Sequence, residues 1–135
     1  MGEATTEASG LTGTSVGIHI GPTNYEDIVM YVRLLPNPYY MPKMRPRTGQ
    51  DRVVSDFVLE RVETKAFLDK WEPLLTELAP NYLAEGKHHP SIALGCTGGM
   101  HRSVVLAEET ARHLRSLGYQ VAVRHRDISR DQEWM

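Results

Sequence analysis

The chain has 135 residues, 41% of them hydrophobic and 24% charged, which is one globular domain's worth and neither a fibre nor a disordered chain. A formal net charge of −2 excludes a protein that is basic over its whole surface, and a single cysteine, Cys96, excludes an internal disulfide. No run approaches the ~18 apolar residues that cross a bilayer, and the start of the chain lacks the basic and apolar stretches of a secretory signal, so no membrane partner is expected and the cytoplasm is the expected compartment.

In chain order, residues 1–14 are small and polar without periodicity and read as a disordered tail. Val16 to Ile20 is a short apolar run closed by Gly21-Pro22, a strand and turn. Ile28 to Leu35 is rich in β-branched and bulky residues and predicts a buried strand, with Arg33 as its odd member. From Pro36 to Gln50 the prolines Pro36, Pro38, Pro42 and Pro46 forbid helix and central strand alike, while Tyr39, Tyr40, Met41 and Met44 supply apolar anchors. An ordered, functional loop is expected there.

Asp51 is placed to cap a short helix over Arg52 to Glu60. A longer helix begins at Glu63 or Thr64 and carries Phe67, Trp71, Leu74, Leu75, Leu78 and Tyr82 on one face, a core stripe that Pro73 and Pro80 should kink or split. Ser91 to Gly95 predicts a strand, and a helix to about Leu117 follows, with Val104, Ala107, Ala111 and Leu114 inward and Gly118 as its C-cap. Gln120 to His125 is the last strand. Strand, helix, strand is a βαβ unit with parallel strands. The fold class is therefore α/β: one compact domain, residues 15–130, with a small, mostly parallel sheet, followed by a short tail at 131–135.

The connection Gly95-Cys96-Thr97-Gly98-Gly99-Met100-His101-Arg102-Ser103 carries the chemistry. A helix starting here has amide groups without internal acceptors, and its dipole favours negative charge. Gly98 and Gly99 let several N–H groups turn inward. Thr97 and Ser103 add hydroxyls, Arg102 a forked cation and His101 a further donor. The segment reads as an anion-binding, specifically phosphate-binding, loop. It is not a nucleotide P-loop, because Gly-x4-Gly-Lys-Ser/Thr occurs nowhere in the chain.

Charge supports the reading. Arg33, Lys43, Arg45, Arg47 and Arg52 face only Asp51 in one segment, and Arg102, Arg112, Arg115, Arg124, Arg126 and Arg130 face only Glu108, Glu109 and Asp127 in another. If the two segments meet, a near-neutral protein has an anion-attracting face. Arg33, Asn37 and Tyr39 follow a strand end and are candidates for the same site. Lys43, Arg45, Arg47, Arg124, His125 and Arg126 are candidates for contact with RNA or another anion. Two alternatives stay open. The spacing from Cys96 to Arg102 resembles that of cysteine-dependent phosphatases, which would make Cys96 a nucleophile, Arg102 the phosphate clamp and Asp127 the general acid. RNA binding through the two basic segments is the other. His88-His89 has no Cys, Asp or Glu at ligand spacing, so no metal is expected, and no cofactor is implied.

Taken together, Ile92 to Val104, the later Val123-Arg124-His125-Arg126-Asp127, and the earlier Val32 to Tyr39 and Arg45-Pro46-Arg47-Thr48-Gly49 closely resemble the C-terminal domain of the RNase adapter protein RapZ family. The resemblance covers residues from about 15 to 128. It implies a fold resembling a phosphofructokinase subdomain, assembly into homo-oligomers, and a sensor pocket for an amino-sugar phosphate, glucosamine-6-phosphate. Thr97, Gly98, Gly99, His101 and Arg102 would hold the phosphate and sugar, with Arg33, Asn37 and Tyr39 completing the pocket. In some members it also implies binding of small RNAs. The resemblance departs at three points. The P-loop domain of full-length members is missing from the sequence, so the expectation is a ligand-sensing half working alone or with a separate P-loop NTPase partner. The last residues, Arg130-Asp131-Gln132-Glu133-Trp134-Met135, are not the basic tail of RNA-binding members. Tyr31 and Tyr39 stand where those members carry Asp and His.

Overall fold

Four short apolar runs become strands, and the amphipathic segments between them become helices. The computed structural model describes residues 15–20, 26–85, 90–96 and 101–125. Strand β1 is Ser15–Ile20, β2 Ile28–Tyr31, β3 Ser91–Gly95 and β4 Gln120–His125; helix α1 is Arg52–Leu59, α2 Val62–Ala84 and α3 Arg102–Ser116. The strands form one sheet in the order β2-β3-β1-β4, and every pairing is parallel. The α/β class with a parallel sheet holds; β3 and β4 run parallel around α3, with β1 between them.

Register assigns the faces. Val16 pairs with Val121, Ile18 with Ile92 and Val123, Ile28 with Ile92, and Met30 with Leu94. Because side chains alternate along a strand, these residues share the face that α3 covers. α1 and α2 pack on α3, closing a core that includes Val54, Val58, Trp71, Leu75, Leu106 and Leu114.

Local chemistry explains the element ends. Asp51 caps α1 by accepting from the N–H of Val53 at 2.9 Å, as its position predicts. α3 ends in a Schellman motif: Tyr119 N donates to Leu114 O and Gly118 N to Arg115 O, with Leu117 as the C-cap. That geometry needs the positive φ of +99° that Gly118 supplies without steric cost.

Four expectations change. The strand foreseen over Ile28 to Leu35 stops at Tyr31, and among the described residues it is an edge strand, paired with β3 alone, with Val29 and Tyr31 exposed; the chain turns away at Leu35, whose N–H donates to Val32 O. Pro38–Tyr40 forms a single 3-10 turn, because Pro38 stands at its first turn, where no N–H is required, and Asn37 caps it. α2 runs from Val62 to Ala84 through both prolines without the split they could have caused, with Arg61 at its N-cap position making no side-chain cap; Pro73 and Pro80 lie on its exposed side, where water can bond the carbonyls they release. Leu74 is exposed, while Thr64 and Ala79 join Trp71 and Leu75 on the buried stripe. The tails expected at 1–14 and 131–135 and the pair His88-His89 lie outside the described residues. Among the described residues, no helix is long and apolar enough to cross a membrane.

Candidate functional site

In an all-parallel sheet every strand ends at the same edge, and open α/β sheets bind ligands there. Here that edge receives the ends of β2 and β3 and the amino end of α3. The Pro-rich segment after β2 is ordered by its own turns: Met41 N donates to Pro38 O, Met44 N and Arg45 N to Met41 O, Arg47 N to Met44 O, and Asp51 N to Thr48 O. It is the ordered loop that its prolines and aromatics predict.

Three contacts clamp this loop to the amino end of α3. Arg102 Nη1 donates to Arg33 O at 2.6 Å and to Leu35 O at 3.0 Å. His101 Nε2 lies 3.1 Å from Met44 O, and since a carbonyl only accepts, that nitrogen carries the hydrogen. Gly49 rests on the helix itself: a Cβ there would stand 2.6 Å from His101 O, 2.8 Å from Val104 Cβ and 2.8 Å from Val105 N. Only glycine permits so close an approach. Asn37 and Tyr39 lie between the Leu35 and Met44 anchor points, and Asn37 Oδ1 accepts from Tyr39 N at 3.0 Å.

The electrostatics of the clamp are unusual. Arg102 is 4% exposed. Among the described residues its acceptors are two neutral carbonyls, its Nε has none, and no carboxylate reaches it. It also sits in the first turn of a helix, the end that disfavours a cation. His101 and Ser103 are buried beside it. Cys96, at the end of β3, is half-buried; its thiol donates to Ser103 Oγ at 3.1 Å and accepts from Ser103 N at 3.3 Å.

The remaining candidates divide. Arg33 is exposed, and its guanidinium lies 4.9 Å from the centre of the Tyr31 ring. Arg45 stacks 4.7 Å over Tyr39 and donates to Tyr39 O, so an exposed Tyr-Arg pair flanks the clamp. Arg47 is paired with Asp51 at 3.0 Å, and Lys43 is exposed. Arg124 is exposed near the end of β4, which β1 separates from β3, and no described contact joins it to the clamp. Thr97, Gly98, Gly99, Arg126 and Asp127, and the side chain of His125, lie outside the described residues. Among the described residues the two basic segments meet through backbone carbonyls and one buried arginine, not as a row of exposed cations. Among the described residues, no three potential metal ligands cluster.

The sequence reading missed Gly49 and Met44 as parts of the site. The signal for Gly49 is its place just before the Asp51 cap, in a loop otherwise stiffened by prolines.

The fold and its carboxyl edge define a small α/β domain of the all-parallel type. The chain belongs to the RapZ C-terminal domain family, whose sequence model matches residues 10–129. It is 51% identical over 116 residues to a nucleotide-binding protein of Syntrophomonas wolfei, covering 86% of this chain and 40% of that protein. A nucleotide-binding protein of Moorella thermoacetica is 48% identical over 116 residues, covering 86% and 39%. One from a Nocardioides species is 44% identical over 121 residues, covering 90% and 40%. The chain spans about two fifths of the length of these curated relatives.

Proposed function

We propose that this domain is a sensor module that binds a phosphorylated sugar, an amino-sugar phosphate such as glucosamine-6-phosphate, at the carboxyl edge of its sheet. The observation that carries the reading is Arg102, a buried guanidinium with no counter-charge among the described residues. A buried charge without a partner is costly, and an anion at the amino end of α3 would complete it while also meeting the helix dipole. The exposed Arg33 and the Asn37–Tyr39 turn stand on the clamped loop as candidates for the sugar hydroxyls. The relatives are named for nucleotide binding, and phosphate is the group that nucleotides and sugar phosphates share. In this reading the domain acts as a homo-oligomer.

The reading assigns Cys96 no catalytic part, its thiol being engaged with Ser103. Nor does it rest on RNA, because Arg45 and Arg47 are already engaged by Tyr39 and Asp51.

Calorimetric titration with glucosamine-6-phosphate, glucose-6-phosphate, inorganic phosphate and ATP tests it. The amino-sugar phosphate should bind most tightly. Arg33→Ala, an exposed change, and Arg102→Lys should each weaken it by about tenfold or more, the worth of a charged hydrogen bond. No heat of binding from any sugar phosphate, or tightest binding of ATP, overturns the reading. Turnover of an aryl phosphate that Cys96→Ser abolishes would replace it with the phosphatase. Light scattering that gives a monomer mass at all concentrations removes the oligomer.

A further inference from the structure

Far from the loop clamp, the outer contact between α2 and α3 brings two carboxyl groups together. Arg112 on α3 donates through Nε and Nη2 to both oxygens of Glu109, one turn before it. The same Nη2 lies 3.8 Å from Glu72 Oε2 on α2. The arginine is 63% exposed, but the carboxylate side chains are only 21% exposed at Glu72 and 13% at Glu109. One guanidinium cannot neutralise two carboxylates, and its hydrogen bonds go to Glu109. Glu72 Oε2 is buried and, among the described residues, accepts no donor. Two largely buried carboxyls around one guanidinium nitrogen, only one of them hydrogen-bonded to it, are stable together when the other carries a hydrogen.

We propose that Glu72 and Glu109 share a single proton across the α2–α3 contact, and that losing it as pH rises loosens α2 from α3. This inference is independent of the sugar-phosphate site. The titratable and charged groups facing Glu72 are Glu109, Arg112 and His113 from α3 and Asp69 from its own helix. Burial first, then the hydrogen bond and charge of Glu109, push Glu72 up to about 7. The Arg112 hydrogen bond, the largest influence on Glu109, holds that carboxyl below the usual carboxylate range. The proton therefore resides on Glu72.

The sign follows from Glu72 binding its proton more tightly in the folded chain than in the unfolded one. Its stabilising share is complete below the ordinary value of 4.5 and is lost as pH rises through about 7. Trp71 Nε1 donating to Thr110 Oγ1 at 3.0 Å, and Thr76 Oγ1 at 2.8 Å from His113 Nε2, keep the helices joined on either side of the pair. Loosening is therefore local.

Thermal unfolding of the wild type and of Glu72→Gln, from about pH 5 to about pH 8, tests the latch. Gln keeps the shape of a protonated Glu72 and its donor. The wild-type midpoint should fall by several degrees across the window, while the Glu72→Gln midpoint stays level and ends above the wild type. Hydrogen exchange, corrected for its intrinsic pH dependence, should quicken in α2 of the wild type alone. Parallel midpoint curves overturn the proposal, as does a dependence abolished by His113→Gln and untouched by Glu72→Gln. Carbon NMR of the Glu72 carboxyl gives a check that needs no variant: a midpoint near neutrality supports the shared proton, and one at the ordinary glutamate value refutes it.

Discussion

Arg102 and Arg112 lie on one helix, ten residues apart, in opposite circumstances. Arg112 is 63% exposed and has two carboxylates around it. Arg102 is 4% exposed and, among the described residues, has only neutral acceptors. Folding stability alone would arrange matters the other way, keeping the paired charge inside and the bare one in water. The difference separates two uses of arginine. At the carboxyl edge the guanidinium ties down a loop and leaves a positive charge waiting in a dry place. At the α2–α3 contact it manages carboxylates that the helix packing has brought too close.

The largest expected effect breaks the comparison at its buried end. Arg102→Ala removes the donor to Arg33 O and Leu35 O. Each orphaned carbonyl costs about 1–3 kcal/mol, so with two of them urea unfolding should show a loss of about 2–6 kcal/mol. Hydrogen exchange should rise along residues 33–50. A loss below about 0.5 kcal/mol would mean the clamp is held by something other than Arg102.

Gly49→Ala probes the same clamp from the loop side. Two of the three atoms its Cβ would strike, His101 O and Val105 N, are helix backbone and cannot swing aside. Overpacking of this kind costs about 1–3 kcal/mol, read by denaturant titration. A neutral result would show that the loop can lift off α3. Thr110→Val examines the middle of the same helix. It keeps the volume but strands Trp71 Nε1, which is otherwise bonded at 3.0 Å. About 1–2 kcal/mol should be lost, with Trp71 fluorescence reporting the change.

Much of this architecture is legible in the residues, and the gaps have physical causes. Alternation and turn residues mark β1, β3 and β4, and Asp51 and Gly118 mark helix ends, because those signals are local. Arg33 inside an apolar run hints that β2 does not continue as a buried strand; it is exposed just beyond Tyr31, where the edge strand ends. The unbroken α2 misleads because an interior proline, whose ring crowds the carbonyl four residues back and leaves it without a donor, need not end a helix when that carbonyl can turn to water. At the site, Arg102 is identifiable from spacing as a member, but its burial and its carbonyl partners 69 and 67 residues away are not. The Glu72–Glu109 pair has no sequence signal at all. The two stand 37 residues apart and meet only once α2 and α3 pack.

The smallest expected effect sharpens the exposed end. Arg112→Ala should cost about 1 kcal/mol or less near neutral pH, since exposed ion pairs contribute little. Its pH dependence is more informative than its size. Glu109 titrates below its ordinary value chiefly because Arg112 bonds it, so the stability it contributes is present above that value and is lost as pH falls through the lowered one. Wild-type and Arg112→Ala unfolding curves should therefore differ near neutrality and converge in acid below about pH 4. Raising the salt should narrow the neutral-pH gap, because the arginine is in water. A gap that persists in acid would mean the side chain acts through its packed stem rather than its charge. A gap as large as that of Arg102→Ala would put the exposed fork on the same footing as the buried one.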